Sequence, residues 1–150
     1  LWWEKRRVEP AQKRQVGFKQ PVIDPRDPGG APAVVTIPCD LIQRWYKYHS
    51  VDYENLETAK FVLEHPQRIL GGVRDYEEGG YCYLARPSQW YVKSGVLAPF
   101  PAQLVFGVYV NPNLWLYEIQ AEKTDKQDIL LPINWKTRYR EGLLWTRDIS

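Results

Sequence analysis

Methionine is absent from this 150-residue sequence, and histidine and cysteine occur only twice each. These scarcities exclude whole classes of chemistry. Cys39 and Cys82 lie far apart and form no CxxC pair. The two histidines show no ligand spacing either, so zinc has no support and no metal is expected. Cys82 sits in the apolar run GYCYLA and is expected to be a buried thiol. Spacing alone leaves a bridge to Cys39 open. No apolar run approaches the ~18–20 residues of a membrane span, and the opening LWWEKRRVEPAQKRQ is too charged for a signal peptide. No GxxxxGK[ST], GxGxxG or GxSxG occurs, so phosphate loops, dinucleotide folds and serine elbows lack local support, and no cofactor is expected. The pairs Gly71-Gly72 and Gly79-Gly80 look like turns. With no methionine even at position 1, the chain is expected to be part of a longer polypeptide, and its localisation stays open.

What is present in quantity is aromatic: seven Trp, ten Tyr and four Phe. The length suits one domain with a real core. Net charge is +2, and residues 1–30 hold seven Lys/Arg against four Asp/Glu. The basic surplus therefore sits in a segment that resembles a solvated tail more than a nucleic-acid surface. Prolines 10, 21, 25, 28, 32 and 38 and the Gly29-Gly30 pair punctuate the same region. Proline fixes φ and removes a donor, so residues 1–33 are expected to be a basic, proline-rich arm and residues 34–150 the compact domain. Trp2 and Trp3 suggest a short helix that docks on something else.

Helical spacing dominates the next stretch. CDLIQRWYKYHS has Asp40 as N-cap and Leu41, Ile42, Trp45 and Tyr46 on one face. In VDYENLETAKFVLEHP, Tyr53, Leu56, Ala59, Val62 and Leu63 recur with helical period. Asp52 caps it and Pro66 ends it, which predicts a helix over 52–65. The period then changes. Strands are predicted at 79–85, 103–110, 113–122, 128–133 and 142–149. Asn111-Pro112-Asn113 is read as the turn of a hairpin between the second and third. Pro132 confines the fourth to an edge or an end. The expected class is α+β, with N-terminal helices packed on an antiparallel sheet of four to five strands behind a proline-rich arm.

Three groups of residues could carry chemistry. The first surrounds His65, at the end of the predicted helix, where imidazole titrates near neutral pH and the dipole favours its protonated form. Arg68 and Lys60 flank it, although Lys60 is about 140° around the helix. The second is YCYLARPSQWY. Arg86 follows an apolar strand, Tyr83, Ser88 and Tyr91 add hydroxyls, and Trp90 offers a stacking face. The third is Thr146 with Arg147 in the last predicted strand. Beside these readings stand plain structural ones: a capping histidine at 65, a strand end with core aromatics, surface residues at 146 and 147, and a helix-end His49. RNA cleavage without metal needs a base, an acid and cations for the phosphorane charge, and these residue types supply all three.

The order of a helix ending FVLEHPQRI, several strands with a late hairpin and a last strand carrying WTR resembles the barnase–EndoU–colicin–RelE class of ribonuclease toxin domains over about residues 50–150. The resemblance implies a metal-independent endoribonuclease acting on RNA, tRNA included. It implies His65 as acid or base, Thr146 as transition-state donor, Arg68 or Arg86 as phosphate cation, a cytoplasmic site of action and a cognate inhibitor or immunity protein as partner. Lys60, Tyr83, Trp90 and Tyr91 would contact substrate. Two other functions fit the composition. RWYKYH and RPSQWYVK have the Tyr, Trp and Arg content of interface hot spots, as in a protein-interaction module. Arg86, Ser88 and Glu118 could serve an ADP-ribosyltransferase, although the spacing of that pattern is missing.

Overall fold

The computed structural model describes residues 17–39, 53–74, 78–92, 96–125 and 130–147. In chain order these form β1 (Phe18–Val22), β2 (Ala33–Ile37), α1 (Tyr53–Glu64), β3 (Arg68–Val73), β4 (Tyr81–Ala85), β5 (Gln89–Val92), β6 (Val96–Pro99), β7 (Leu104–Val110), β8 (Leu116–Lys123), α2 (Trp135–Arg138) and β9 (Tyr139–Thr146). Five strands make an antiparallel sheet in the order β8-β7-β4-β3-β9, and β1-β2 and β5-β6 are separate two-stranded ribbons. Among the described residues, no helix is long and apolar enough to cross a membrane.

Burial follows the sequence pattern. β7, LVFGVYV, is buried from Val105 to Val110, as a central strand covered on both faces must be. On one face Leu56, Ala59, Val62 and Leu63 of α1 meet Ile69, Tyr83, Phe106 and Val108. On the other face Leu70, Cys82, Leu84, Val105 and Tyr109 pack under Leu130, Leu131 and Trp135. The β7-β8 hairpin turns on Asn111, whose side-chain oxygen accepts the N–H groups of Asn113 at 2.9 Å and Trp115 at 3.0 Å, a local bond that favours a turn over a continuing ladder. Leu114 beside it takes φ 62°, and its carbonyl accepts the N–H of Thr36 at 2.9 Å. That bond ties β2 to the main sheet.

The α+β expectation is corrected. Nine strands and two helices make the described fold mostly β, and two strands precede the first described helix. Among the described residues, helices do not lead the fold. The arm expected over residues 1–33 also gives way from residue 17 onward. Val22, Val35 and Ile37 belong to the same core as α1, and the hydroxyl of Tyr83 donates to the carbonyl of Ile23 at 2.6 Å. The prolines punctuate ordered structure here. Pro21 sits within β1, a two-stranded ribbon's edge, where a missing donor is tolerated. The loop beyond it is held by Asp24, which accepts the backbone N–H of Arg26 at 2.9 Å and its Nε at 3.0 Å.

Other expectations fare unevenly. The helix over 52–65 is found as α1, and the hairpin of the second and third predicted strands is β7-β8. The strand predicted at 128–133 is absent where described: Pro132 makes only an isolated bridge to Thr124. The pair Gly71-Gly72, expected to be a turn, lies within β3. Those glycines instead let β9 approach, since a Cβ on Gly71 would lie 2.5 Å from Leu144 Cδ1, and Gly72 adopts φ 73° at a register shift. The helix expected from Asp40, His49, and the Trp2-Trp3 segment lie outside the described residues.

Candidate functional site

The chain folds so that several residues singled out in sequence meet at one end of the main sheet. That end is built around Gln67. Its backbone N–H donates to Leu84 O at 2.8 Å, and its own carbonyl accepts the N–H of Arg147 at 2.9 Å. The same carbonyl accepts Arg68 Nη1 at 2.8 Å, and its side-chain Oε1 accepts the N–H of Arg86 at 2.6 Å. Arg68 pairs with Leu84 on one side and Thr146 on the other. Directly paired residues share a face, so Arg68 and Thr146 lie on the face of Leu84, which is the face turned away from α1. His65 ends α1 through its N–H bond to Phe61 O at 2.8 Å. Two trans peptides separate it from Gln67, so its Cα is within about 7.6 Å of that residue's.

The sheet end is cationic. Arg147 follows β9, Arg68 opens β3, Arg86 follows β4 and Lys123 closes β8. Lys123 is paired with Leu104, the first residue of β7, and Arg86 Nε donates to Leu104 O at 3.3 Å. With strands about 4.8 Å apart, the row crosses four spacings, or roughly 19 Å. Arg86, Thr146, Arg147 and Lys123 are exposed, and Arg68 is half-buried.

Not every residue expected at the site is available to it. Tyr83 is fully buried in the core, and burial raises its pKa beyond the usual tyrosine range; a substrate contact by Tyr83 is corrected to a structural role. Trp90 is half-buried with its ring edge-on to Phe100 at 5.1 Å. Lys60 bonds Glu57 at 3.3 Å and lies over the Phe18 ring at 4.6 Å from its centroid. Tyr91 is half-buried on β5, and Ser88 lends its carbonyl to Phe100 N–H at 3.1 Å. The His65 ring is 55% exposed, 3.9 Å from Glu64 Oε2 and tilted on Phe61 at 5.1 Å. The three groups posed for a transferase are pulled apart. Glu118 pairs with Tyr109, whereas Arg86 follows Ala85, the partner of Phe106. That is roughly 13 Å along the strands.

A second polar cluster was missed from sequence. Arg138 of α2 binds Glu122 of β8 and donates from Nη2 to Tyr109 Oη at 3.1 Å. Tyr139 Oη donates to Tyr109 Oη at 3.1 Å. Burial, the nearby Cys82 and Glu122 all push Tyr109 upward, and burial also raises Tyr139 and Cys82. Burial opposes the charge on Arg138, but the bond to Glu122 and the charges of Tyr109, Tyr139 and Glu122 together outweigh it and raise its pKa. These residues lie between positions 82 and 139, and no local spacing links them; only pairing across the sheet does. Cys39 and Cys82 are thiols and no disulfide joins them. Among the described residues, no group of three His, Cys, Asp or Glu could hold a metal.

No protein-family profile, curated protein or solved structure matches the chain.

Proposed function

We propose that the domain is a metal-independent ribonuclease whose substrate backbone lies across the cationic end of the sheet. The observation that carries this reading is the row Arg147, Arg68, Arg86 and Lys123, one cation from each of four strand ends, with Thr146 paired to Arg68 and His65 two residues from the Gln67 hub. Guanidinium groups suit phosphate because they present paired donors in a plane. In the proposed reaction a base takes the 2′-hydroxyl proton, and the 2′-oxygen attacks phosphorus. The bond to the 5′-oxygen breaks, and that oxygen takes a proton, leaving a 2′,3′-cyclic phosphate. His65 performs one of the proton transfers, Arg86 and Arg68 hold the charge that develops on the phosphoryl oxygens, and Thr146 gives up the long 3.4 Å bond its hydroxyl donates to Arg147 O to donate to them.

The test is incubation of the purified chain with total RNA and with tRNA, with and without EDTA. Wild type is expected to cleave in both conditions. His65→Ala is expected to lose about 10²–10⁴-fold in rate, and Arg86→Ala to lose turnover with an unchanged fold. No cleavage under any divalent condition, or equal cleavage by His65→Ala, refutes the assignment.

A protein-interaction module is the second reading, and one observation favours it. Phe18 is 54% exposed on β1 and Phe61 48% exposed on α1, and Lys60 ties the two elements together. Large exposed aromatics on neighbouring elements suit a partner surface. RNA cleavage by the wild type that His65→Ala abolishes would count against this reading.

A further inference from the structure

We propose that a second, small anion site lies at the opposite end of the sheet, in the cleft between the end of β3 and α2, and that it takes a phosphate group. The cleft is lined by Val73, Arg74, Thr137, Arg138 and Tyr139 and has a volume of about 240 Å³. Drug-sized ligands occupy roughly 300–1,000 Å³, so this cleft suits a charged headgroup rather than a large apolar molecule. Its walls are joined, because the N–H of Arg74 donates to the carbonyl of Arg138 at 3.3 Å. The backbones of the two arginines are therefore held side by side at the mouth of the cleft.

Their charges are not equally compensated. Glu122 and the hydroxyl of Tyr109 hold the Arg138 guanidinium from beneath, which fixes its plane before any ligand arrives. The Arg74 side chain is exposed, and no carboxylate of the described residues pairs with it. Among the described residues, the Arg74 charge thus has no carboxylate partner, and it lines the cleft together with a second, oriented arginine. Lys136 is a further cation on α2. Two arginines lining one cleft can offer a tetrahedral oxyanion several charge-assisted donors, where a single lysine offers a point charge. Thr137 does not donate here: its hydroxyl already donates to Asn134 O at 2.8 Å.

The site shares no residue with the ribonuclease row, and it stands whether or not RNA is cleaved. The experiment is an amide NMR titration of the full chain with inorganic phosphate at constant ionic strength, with acetate as the control anion, on wild type, Arg74→Gln and Arg86→Ala. Saturable shifts are expected at residues 73–74 and 137–139 in wild type and in Arg86→Ala. They are expected to weaken at least about tenfold in Arg74→Gln, as the loss of one charge-assisted hydrogen bond predicts. Arg74 is exposed, so this variant is expected to keep the wild-type spectrum elsewhere. Three outcomes overturn the proposal: no saturable shift at these residues, equal affinity in Arg74→Gln, or phosphate shifts confined to residues 68, 86 and 147. The last would leave the ribonuclease reading intact. Equal shifts with acetate would overturn the choice of phosphate.

Discussion

Truncating Ile37 to alanine tests whether the N-terminal hairpin is part of the core or an appendage. Ile37 is fully buried, closes the β1-β2 ladder opposite Phe18, and follows Thr36, which bonds Leu114 at the turn of the main sheet. The change removes three buried carbons, worth about 2.4 kcal/mol at ~0.8 kcal/mol each. The cavity left behind brings the expected cost to about 2–5 kcal/mol. With an m-value of about 2 kcal/mol/M, the urea midpoint should fall by about 1–2.5 M. Val34→Thr, on the same strand but 46% exposed, is the control and should stay within about 0.5 kcal/mol. Deleting residues 1–32 extends the test. It removes Val22, a loss of about 1.5–3 kcal/mol. It also removes the Ile23 carbonyl that accepts the Tyr83 hydroxyl, which strands a buried donor at about 1–3 kcal/mol. Together these take a large share of the roughly 5–15 kcal/mol that a domain has, so the fragment should be unfolded or strongly destabilised. A midpoint shift under ~0.2 M for Ile37→Ala, or a fragment with wild-type stability, would refute the reasoning.

Further expectations rest on other parts of the fold. Leu56→Ala and Leu63→Ala on α1, both buried, should each cost about 2–5 kcal/mol in the same assay; values near zero for both would mean that the helix face is misassigned. Tyr83, Tyr109 and Tyr139 all have raised pKa values because burial disfavours the phenolate. The folded state therefore holds their protons when the unfolded chain has released them, and stability present below about pH 10 is lost as pH rises above it. The slope is about 1.4 kcal/mol per pH unit for each group. Tyrosinate absorbance from these three should appear only together with loss of circular dichroism, and Tyr109→Phe should reduce the slope. The Cys82 thiol, fully buried and raised by burial, should resist a thiol reagent until the chain is unfolded; fast labelling of Cys82 in the native state would contradict its burial.

Local signals in the chain decided α1, β4, the β7-β8 hairpin and the existence of β9, because each is written in the period of its own apolar residues or in a turn at Asn111. Pro66 ended the helix, and Cys82 was legible as a buried thiol from GYCYLA alone. Where a residue's neighbours in sequence misreported its neighbours in space, sequence reading failed. The prolines and glycines of residues 17–33 looked like an arm, yet Val22, Val35 and Ile37 close the core, since a two-stranded ribbon tolerates Pro21 at its edge. Gly71 and Gly72 looked like a turn because nothing local shows that β9 must pass so close. Tyr83 looked like a site hydroxyl until β1's following residue supplied its acceptor. The cationic row and the Arg74–Arg138 cleft depend on which strand ends fall side by side, and strand order is set by long-range packing: antiparallel pairing places Arg68 beside residue 146, and α2 places Arg138 against β8.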